Sequence, residues 1–372
     1  KTDNCNAHVS FKDRKGVFTS NDGTSEVVFP VNQYLCRMDK FTWFMDEFEI
    51  AMEKKMKREA VDINAGVDLL GPNFFSIHPK QDSLSFMAPK AKFNLQTKTI
   101  VCKEVEYIDI ADARIYPDSM KLVIRKKAKL DKLKNSRIVA NYITKYHTFI
   151  EADIEIKARR DYSAKGKYPY YDKDSNLYHF VMKDIGLDTS YQTKASGRIK
   201  DSDGFKLSDE FDFYGDVSIR AKNPLISFGG ATRINHECEN FDRNWMAFSA
   251  QLDPKNIQIP VSKDMKSLEG DPISAGIVWR NSKVRDSIAM YPTFLSELTS
   301  NEDEIVITAD GWLQYDPESK EFQIASKDKL VNRGESGNYI ALNTKTCSME
   351  GSGVISLGMN LGVPTIKSVG TV

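Results

Sequence analysis

DSLSFMAPKAKFNLQTKTIVCKEVEYIDIADARIYPDSMKLVIR, running from Asp82 to Arg125, is the stretch that decides the fold. Apolar residues alternate with polar ones on both sides of short polar breaks, which is the period of a half-buried strand. One break is Asn94-Leu95-Gln96-Thr97-Lys98, between Phe93 and Ile100. Another is Pro117-Asp118-Ser119, between Tyr116 and Leu122. The stretch reads as strand, turn, strand, turn, strand. Strands are expected at 84–95, 99–116, 120–127 and 138–158, with helix well under the roughly one-third share of mixed globular proteins. Phe93, Ile100, Ile115, Val123, Ile143 and Ile154 are expected to face inward, because strict alternation requires one buried face.

Working outward, the same unit recurs. YLCRMDKFTWFMDEFEIAMEKK from Tyr34, LSFMAPKAKFNLQTKTIVCKEV from Leu84 and IVANYITKYHTFIEADIEIKAR from Ile138 can be placed under one another. Trp43, Phe93 and His147 then share a column, as do Ile50, Ile100 and Ile154. Related units follow at WMAFSAQLDPKNIQIPV (Trp245 to Val261) and WLQYDPESKEFQIAS (Trp312 to Ser326). The repeat decides the ambiguous segment from Gln33 to Lys57, which fits a helix through Leu35, Met38, Phe41, Met45 and Phe48, in favour of two strands around Asp46-Glu47. Any all-β chain yields some such alignment, so the competing reading is coincidence of pattern. A true repeat means stacked units burying a continuous core. The expected fold is all-β: an elongated stack of antiparallel strands from hairpin-like units, solenoid-like or a tandem β-sandwich, with little helix.

The 372 residues exceed a usual single core. Residues 1–30 read as a lead-in, 31–168 as a repeat-like β region, 169–261 as a second β region and 262–372 as a third. YPYYDKDSN near Tyr168 and the polar loop near Ser262 mark the boundaries. The start at Lys1 and the strand-like VPTIKSVGTV end are read as a fragment or processed chain, continuing beyond residue 372. The 52 basic and 52 acidic residues balance, so there is no overall field to gather nucleic acid. No apolar run reaches the roughly 18 residues of a transmembrane helix. Cys5, Cys36, Cys102, Cys238 and Cys347 are widely spaced, with no CxxC pair. They read as isolated buried thiols, with one unassignable disulfide left open.

No catalytic, cofactor or metal motif emerges. His8, His78, His147, His179 and His236 share no local metal-ligand spacing and read as surface or edge-strand residues. GxSxG, the P-loop and GxGxxG are missing. Glu151, Asp153 and Glu155 alternate on one strand; a glycosidase needs two such carboxylates across a cleft, whereas a solvated face needs nothing further. Glycines at Gly229-Gly230 and Gly351-Ser352-Gly353 suit bulges or tight bends.

The sharpest charge feature is LVIRKKAKLDKLKNSR, beginning at Leu122. Lys126, Lys127, Lys129, Lys132 and Lys134 are its candidate contacts for an anionic partner such as a lipid head group. The competing reading is a lysine-rich edge that blocks strand-to-strand aggregation. No aromatic residue interleaves Arg125 to Arg137, which weighs against single-stranded nucleic acid. Trp43, Phe93, Ile100, Ile115, Ile143 and Ile154 form the candidate apolar set, either a closed core or the lining of an open groove.

GPNFFSIHPKQDSLSFMAPKAKFNLQTKTIVCKEVEYIDIADARIYPDS and RIVANYITKYHTFIEADIEIKARRDYSAKGKYPYYD resemble a family of very large uncharacterised cell-envelope proteins of Bacteroidota-type bacteria. TRINHECENFDRNWMAFSAQLDP and the YPTFL near Tyr291 carry the resemblance through most of the chain. It implies an exported, periplasmic or cell-envelope protein, associated with the outer membrane, and a longer parent chain; the family brings no catalytic residues. The rhythm at Ala111-Asp112 and Ala152-Asp153 is similar, more weakly, to the periplasmic bridge proteins of lipopolysaccharide transport. That similarity implies an open groove of antiparallel strands, though this chain departs in length and in its long loops.

Three functions follow as expectations: a non-enzymatic scaffold segment with envelope-protein partners, a carrier or conduit for an amphipathic lipid such as lipopolysaccharide, and a glycan-binding module. They differ in whether the apolar faces are sealed, open as a groove, or interrupted by a polar cleft.

Overall fold

The computed structural model describes residues 5–21, 25–54, 71–280, 289–300, 302–356 and 368–372. Of these residues, 58% are strand and 4% helix, arranged in several antiparallel sheets, so the fold is all-β. None of the described helices is long and apolar enough to cross a membrane. The chain divides into two compact units. The first holds residues 1–169, 179–197 and 219–224; the second holds 170–178, 198–218 and 225–372.

In the first unit a seven-stranded antiparallel path runs through Cys5–Ser10, Lys15–Ser20, Lys40–Phe44, Glu49–Glu53, Lys90–Asn94, Thr99–Lys103 and Lys121–Ile124. Residues 5–20, expected as a lead-in, form its first hairpin. The segment with two readings is a strand pair: Trp43 sits opposite Ile50 and Phe41 opposite Met52. Residues 55–57 of that segment lie outside the described ones. Registers then place Gly16, Trp43, Ile50, Phe93, Ile100 and Ile124 in one cross-strand row. Phe41, Met52, Ala91, Cys102 and Leu122 form the next row on the same face, and all five are buried. A four-stranded sheet of Glu26–Phe29, Tyr34–Arg37, Phe74–Ser76 and Ser85–Phe86 contributes to the same core. Its Phe29 ring centre lies 4.8 Å from that of Phe93, and the Cys36 thiol lies 3.8 Å from the Met52 sulfur.

A repeated turn makes this possible. Hairpins close at Ser10–Lys15, Phe44–Glu49 and Asn94–Thr99 in the first unit. In the second they close at Asp316–Glu321 and Asn343–Ser348. Each loop ends in a residue with left-handed backbone: Arg14, Phe48, Lys98, Lys320 and Cys347, with φ between 52° and 58°. The residue opening the loop often caps it: Asn94 Oδ1 accepts from the Thr97 amide at 2.8 Å, and Asn343 Oδ1 from the Thr346 amide at 3.0 Å. The left-handed residue also turns its carbonyl sideways, toward the next hairpin. Arg14 O accepts from the Met45 amide (3.0 Å), Phe48 O from Leu95 (2.8 Å) and Lys320 O from Thr344 (2.8 Å). Successive hairpins are thus linked loop to loop as well as strand to strand.

The repeat differs from the alignment in two places. His147 and Ile154 lie on one continuous strand, His147–Ala158, whereas Phe93 and Ile100 face each other across a hairpin. The strands Met246–Leu252 and Ile259–Val261 do not pair with each other; their partners are Ile226–Ile234 and Gly311–Asp316. The expected strand 99–116 is three strands, Thr99–Lys103, Ile108–Ile110 and Ala113–Tyr116, broken where Glu104 and Ala111 take positive φ. The expected strand 138–158 breaks at Asn141, whose side chain accepts from the Ile143 and Thr144 amides and closes a loop between Leu133–Ala140 and His147–Ala158.

The first unit continues with Leu133–Ala140, His147–Ala158 and residues 161–169, 179–187 and 193–197 of the strands Asp161–Tyr171, Leu177–Leu187 and Thr193–Ile199, which are successive neighbours. Bulges adjust its register. Between Met182–Gly197 and Asp184–Ser196 one extra residue, Lys183, enters the strand.

The second unit holds a six-stranded and a three-stranded antiparallel sheet, and residues 211–218 of the strand Phe211–Arg220 with its partner Ile226–Ile234. Its core is aromatic: Phe213 and Phe228 meet edge to face at 5.3 Å, as do Phe211 and Phe322 at 5.5 Å. Gly229-Gly230 marks close strand approach and not a bulge. Gly230 faces Gly215 in unbroken register, and a side chain at Gly230 would run into the Tyr214 carbonyl. Cys238 and Cys347 form a disulfide, so the reading of isolated buried thiols holds for Cys36 and Cys102, while Cys5 is a free thiol that is only half-buried.

Candidate binding surfaces

The basic stretch separates into two settings. Lys126, Lys127 and Lys129 sit on an exposed 3₁₀ turn, Lys126–Ala128 and its flank. The turn is held from behind: the Lys127 and Ala128 amides donate to the Val31 and Asn32 carbonyls, both at 2.9 Å, and Gln81 Nε2 donates to Ala128 O at 2.8 Å. The lysine side chains are therefore left to solvent. Lys121, just before them, lies on the terminal strand of the seven-stranded path.

Lys132 and Lys134 belong to a different surface. Lys132, just before the strand Leu133–Ala140, reaches Glu155 (3.0 Å), and Lys134, on that strand, reaches Asp153 (2.7 Å). These bonds, Lys134 to Asp153 and Lys132 to Glu155, hold both carboxyls below their usual range. Glu151 pairs with Lys167 at 2.6 Å. The three alternating acids thus each meet a lysine on, or just before, a neighbouring strand.

Lys132, Lys134, Asp153 and Glu155 line one side of a shallow depression of about 380 Å³ on this outer face. Its other side carries Lys165, Lys183, Asp184 and Lys194. Lys165 is directly opposite Asp153 in the register, yet that carboxylate is taken by Lys134 from the far side. Lys194 is opposite Gly186, which offers no side chain. The bulge turns Lys183 and Asp184 outward together, while Met182 and Ile185 both stay buried. Among the described residues, no carboxylate lies within ion-pair distance of Lys165, Lys183 or Lys194. Sequence reading missed these three; the only signal for them was the period-two exposure of their strands.

The candidate apolar set is mostly core. Ile100, Ile115 and Ile154 are fully buried and Phe93 nearly so. Trp43 is half-buried, and its indole N–H has no hydrogen-bond partner among the described residues. Ile143 is 76% exposed, because it sits in the Asn141 loop and not on a strand. Val123 is only half-buried, since Leu122 and Ile124 take the inward positions on its strand.

Two histidines correct the surface expectation: His147 and His236 are buried. His147 Nε2 donates to the Asn223 carbonyl at 2.7 Å, which leaves Nδ1 to accept from the Tyr168 hydroxyl at 3.1 Å. Burial pushes the pKa of both histidines down. Such a ring is a structural hydrogen-bonding group, with its lone pair already occupied.

No family model, no curated protein and no solved structure matches this chain.

Proposed function

We propose that this chain is a non-enzymatic structural segment of an exported cell-envelope protein. The observation that carries the reading is the loop-to-loop link between successive hairpins, Arg14 to Met45, Phe48 to Leu95 and Lys320 to Thr344. Units joined at both strand and loop make extended sheets that resist shear, as a scaffold requires. The Cys238–Cys347 disulfide supports an oxidising compartment, since such bonds persist outside the reducing cytosol. The resemblance to large envelope proteins points the same way.

The lipid-conduit alternative needs an open apolar groove, and the covered rows through Phe93, Ile100 and Ile154 favour the scaffold over it. The glycan-module alternative needs free paired carboxylates beside exposed aromatics; Asp153 and Glu155 are held by lysines instead. The test is fractionation of cells of the native host, with thiol alkylation before and after reduction. Recovery with the envelope, with Cys238 and Cys347 alkylated only after reduction, is the expected result. Recovery in the cytosol with both thiols free would refute the reading.

A further inference from the structure

We infer that the outer face of the 133–199 strand array binds a multiply charged phosphoryl group in the depression lined by Lys165, Lys183 and Lys194. This site is separate from the scaffold reading and does not depend on it. Five lysines and three carboxylates line the depression, leaving two positive charges in excess. The distribution matters more than the total. Both strand-paired acids, Asp153 and Glu155, are bound by Lys132 and Lys134 on one side. The excess therefore falls on the other side, where Asp184 is the one acid lining the depression beside Lys165, Lys183 and Lys194, with Asp188 outside the lining acting on Lys194.

Two features make this more than a solvated lysine face. Lys165 has a cross-strand acid, Asp153, that is already occupied at 2.7 Å by Lys134. Gly186, opposite Lys194, carries no side chain that could pair with that lysine. Lys183 faces outward by the ordinary alternation after Phe180 and Met182, and the bulge places Asp184 outward beside it. Among the described residues no aromatic side chain lines the depression to stack on a sugar or a base. Lysine ammonium groups act as point charges for phosphate. The fitting ligand is thus a phosphate or diphosphate, free or carried on a lipid head group.

The test uses the full chain and two probes, inorganic pyrophosphate by calorimetry and phosphatidylcholine vesicles containing phosphatidic acid by co-sedimentation. The variants are the triple K165Q/K183Q/K194Q and, as control, K126Q/K127Q/K129Q on the 3₁₀ turn. The face triple should weaken binding about a hundredfold, at about fivefold per lysine, and added salt should weaken the native protein further. The control triple should bind like the native chain. Binding of pyrophosphate with this variant pattern supports the site with a soluble ligand; binding of vesicles alone, with the same pattern, supports it with a lipid head group. Binding of neither probe, or equal weakening in both triples, overturns it. If the face triple fails to fold by circular dichroism, K194Q alone is read instead and should lose about fivefold.

Discussion

Cys347 occupies the left-handed end of its hairpin loop, with φ of 54°, and is bonded from there to Cys238, 109 residues earlier in the chain. The same loop position holds Lys98 and Lys320 in the sister hairpins. A recurring turn has thus been used to tie a distant loop into the second unit. Closing a chain loop of that size removes conformational freedom from the unfolded state and stabilises the fold by about 2–5 kcal/mol. Guanidinium unfolding of the oxidised protein should therefore show a clearly higher midpoint than the C238A/C347A variant. Coincident curves would mean the bond does not form.

The loops offer a second check. Lys98 is held at φ of 55°, a conformation that costs a side-chain-bearing residue about 1–2 kcal/mol. Lys98→Gly should leave stability unchanged or raise it, because glycine adopts this region freely. Lys98→Val should lower it by about 1–2 kcal/mol, since a branched side chain tolerates the conformation worst. Asn94→Ala removes the capping bonds to Gln96 and Thr97 and should cost about 1 kcal/mol. Urea midpoints of the three variants decide; a Gly variant less stable than the Val variant would contradict the turn geometry.

Ile154 and Ile143 are expected to part company. Ile154→Ala should cost about 2–5 kcal/mol, as for a tightly packed aliphatic residue. Ile143→Ala, on an exposed loop, should stay within about 0.5 kcal/mol of the native chain. Equal losses at both positions would put Ile143 back on the buried face.

His147 sets an acid limit. Its folded pKa is depressed from the ordinary value of about 6.5 by burial. The unfolded chain therefore binds the proton first as pH falls. Stability is full above about pH 6.5 and declines below it, down through the folded pKa. His236 is depressed by burial and by Arg243, and acts in the same direction. Thermal midpoints should drop between pH 7.5 and pH 5, and the drop should shrink in His147→Gln. An unchanged slope in that variant would show that His147 is already charged in the fold.

The period-two pattern around Asp82 to Arg125 was enough to read the chain as all-β and to place Phe93 and Ile100 on either side of a turn, whereas the segment around Trp43 fitted helix and strand alike until the repeat was laid over it. These follow from the sequence because alternation and turn chemistry depend on near neighbours alone. The run through Ile143 misled, because an Asx turn at Asn141 breaks a strand without breaking the apolar rhythm. Val123 misled because a one-residue choice of register exchanges the two faces. Only the tertiary structure decided which cysteines pair, since 109 residues separate Cys238 from Cys347. It alone brought Lys165, Lys183 and Lys194 beside Lys132 and Lys134, across five strands. Which charges meet there depends on cross-strand register and on the bulge at Lys183, and neither is written in the spacing of residues along the chain.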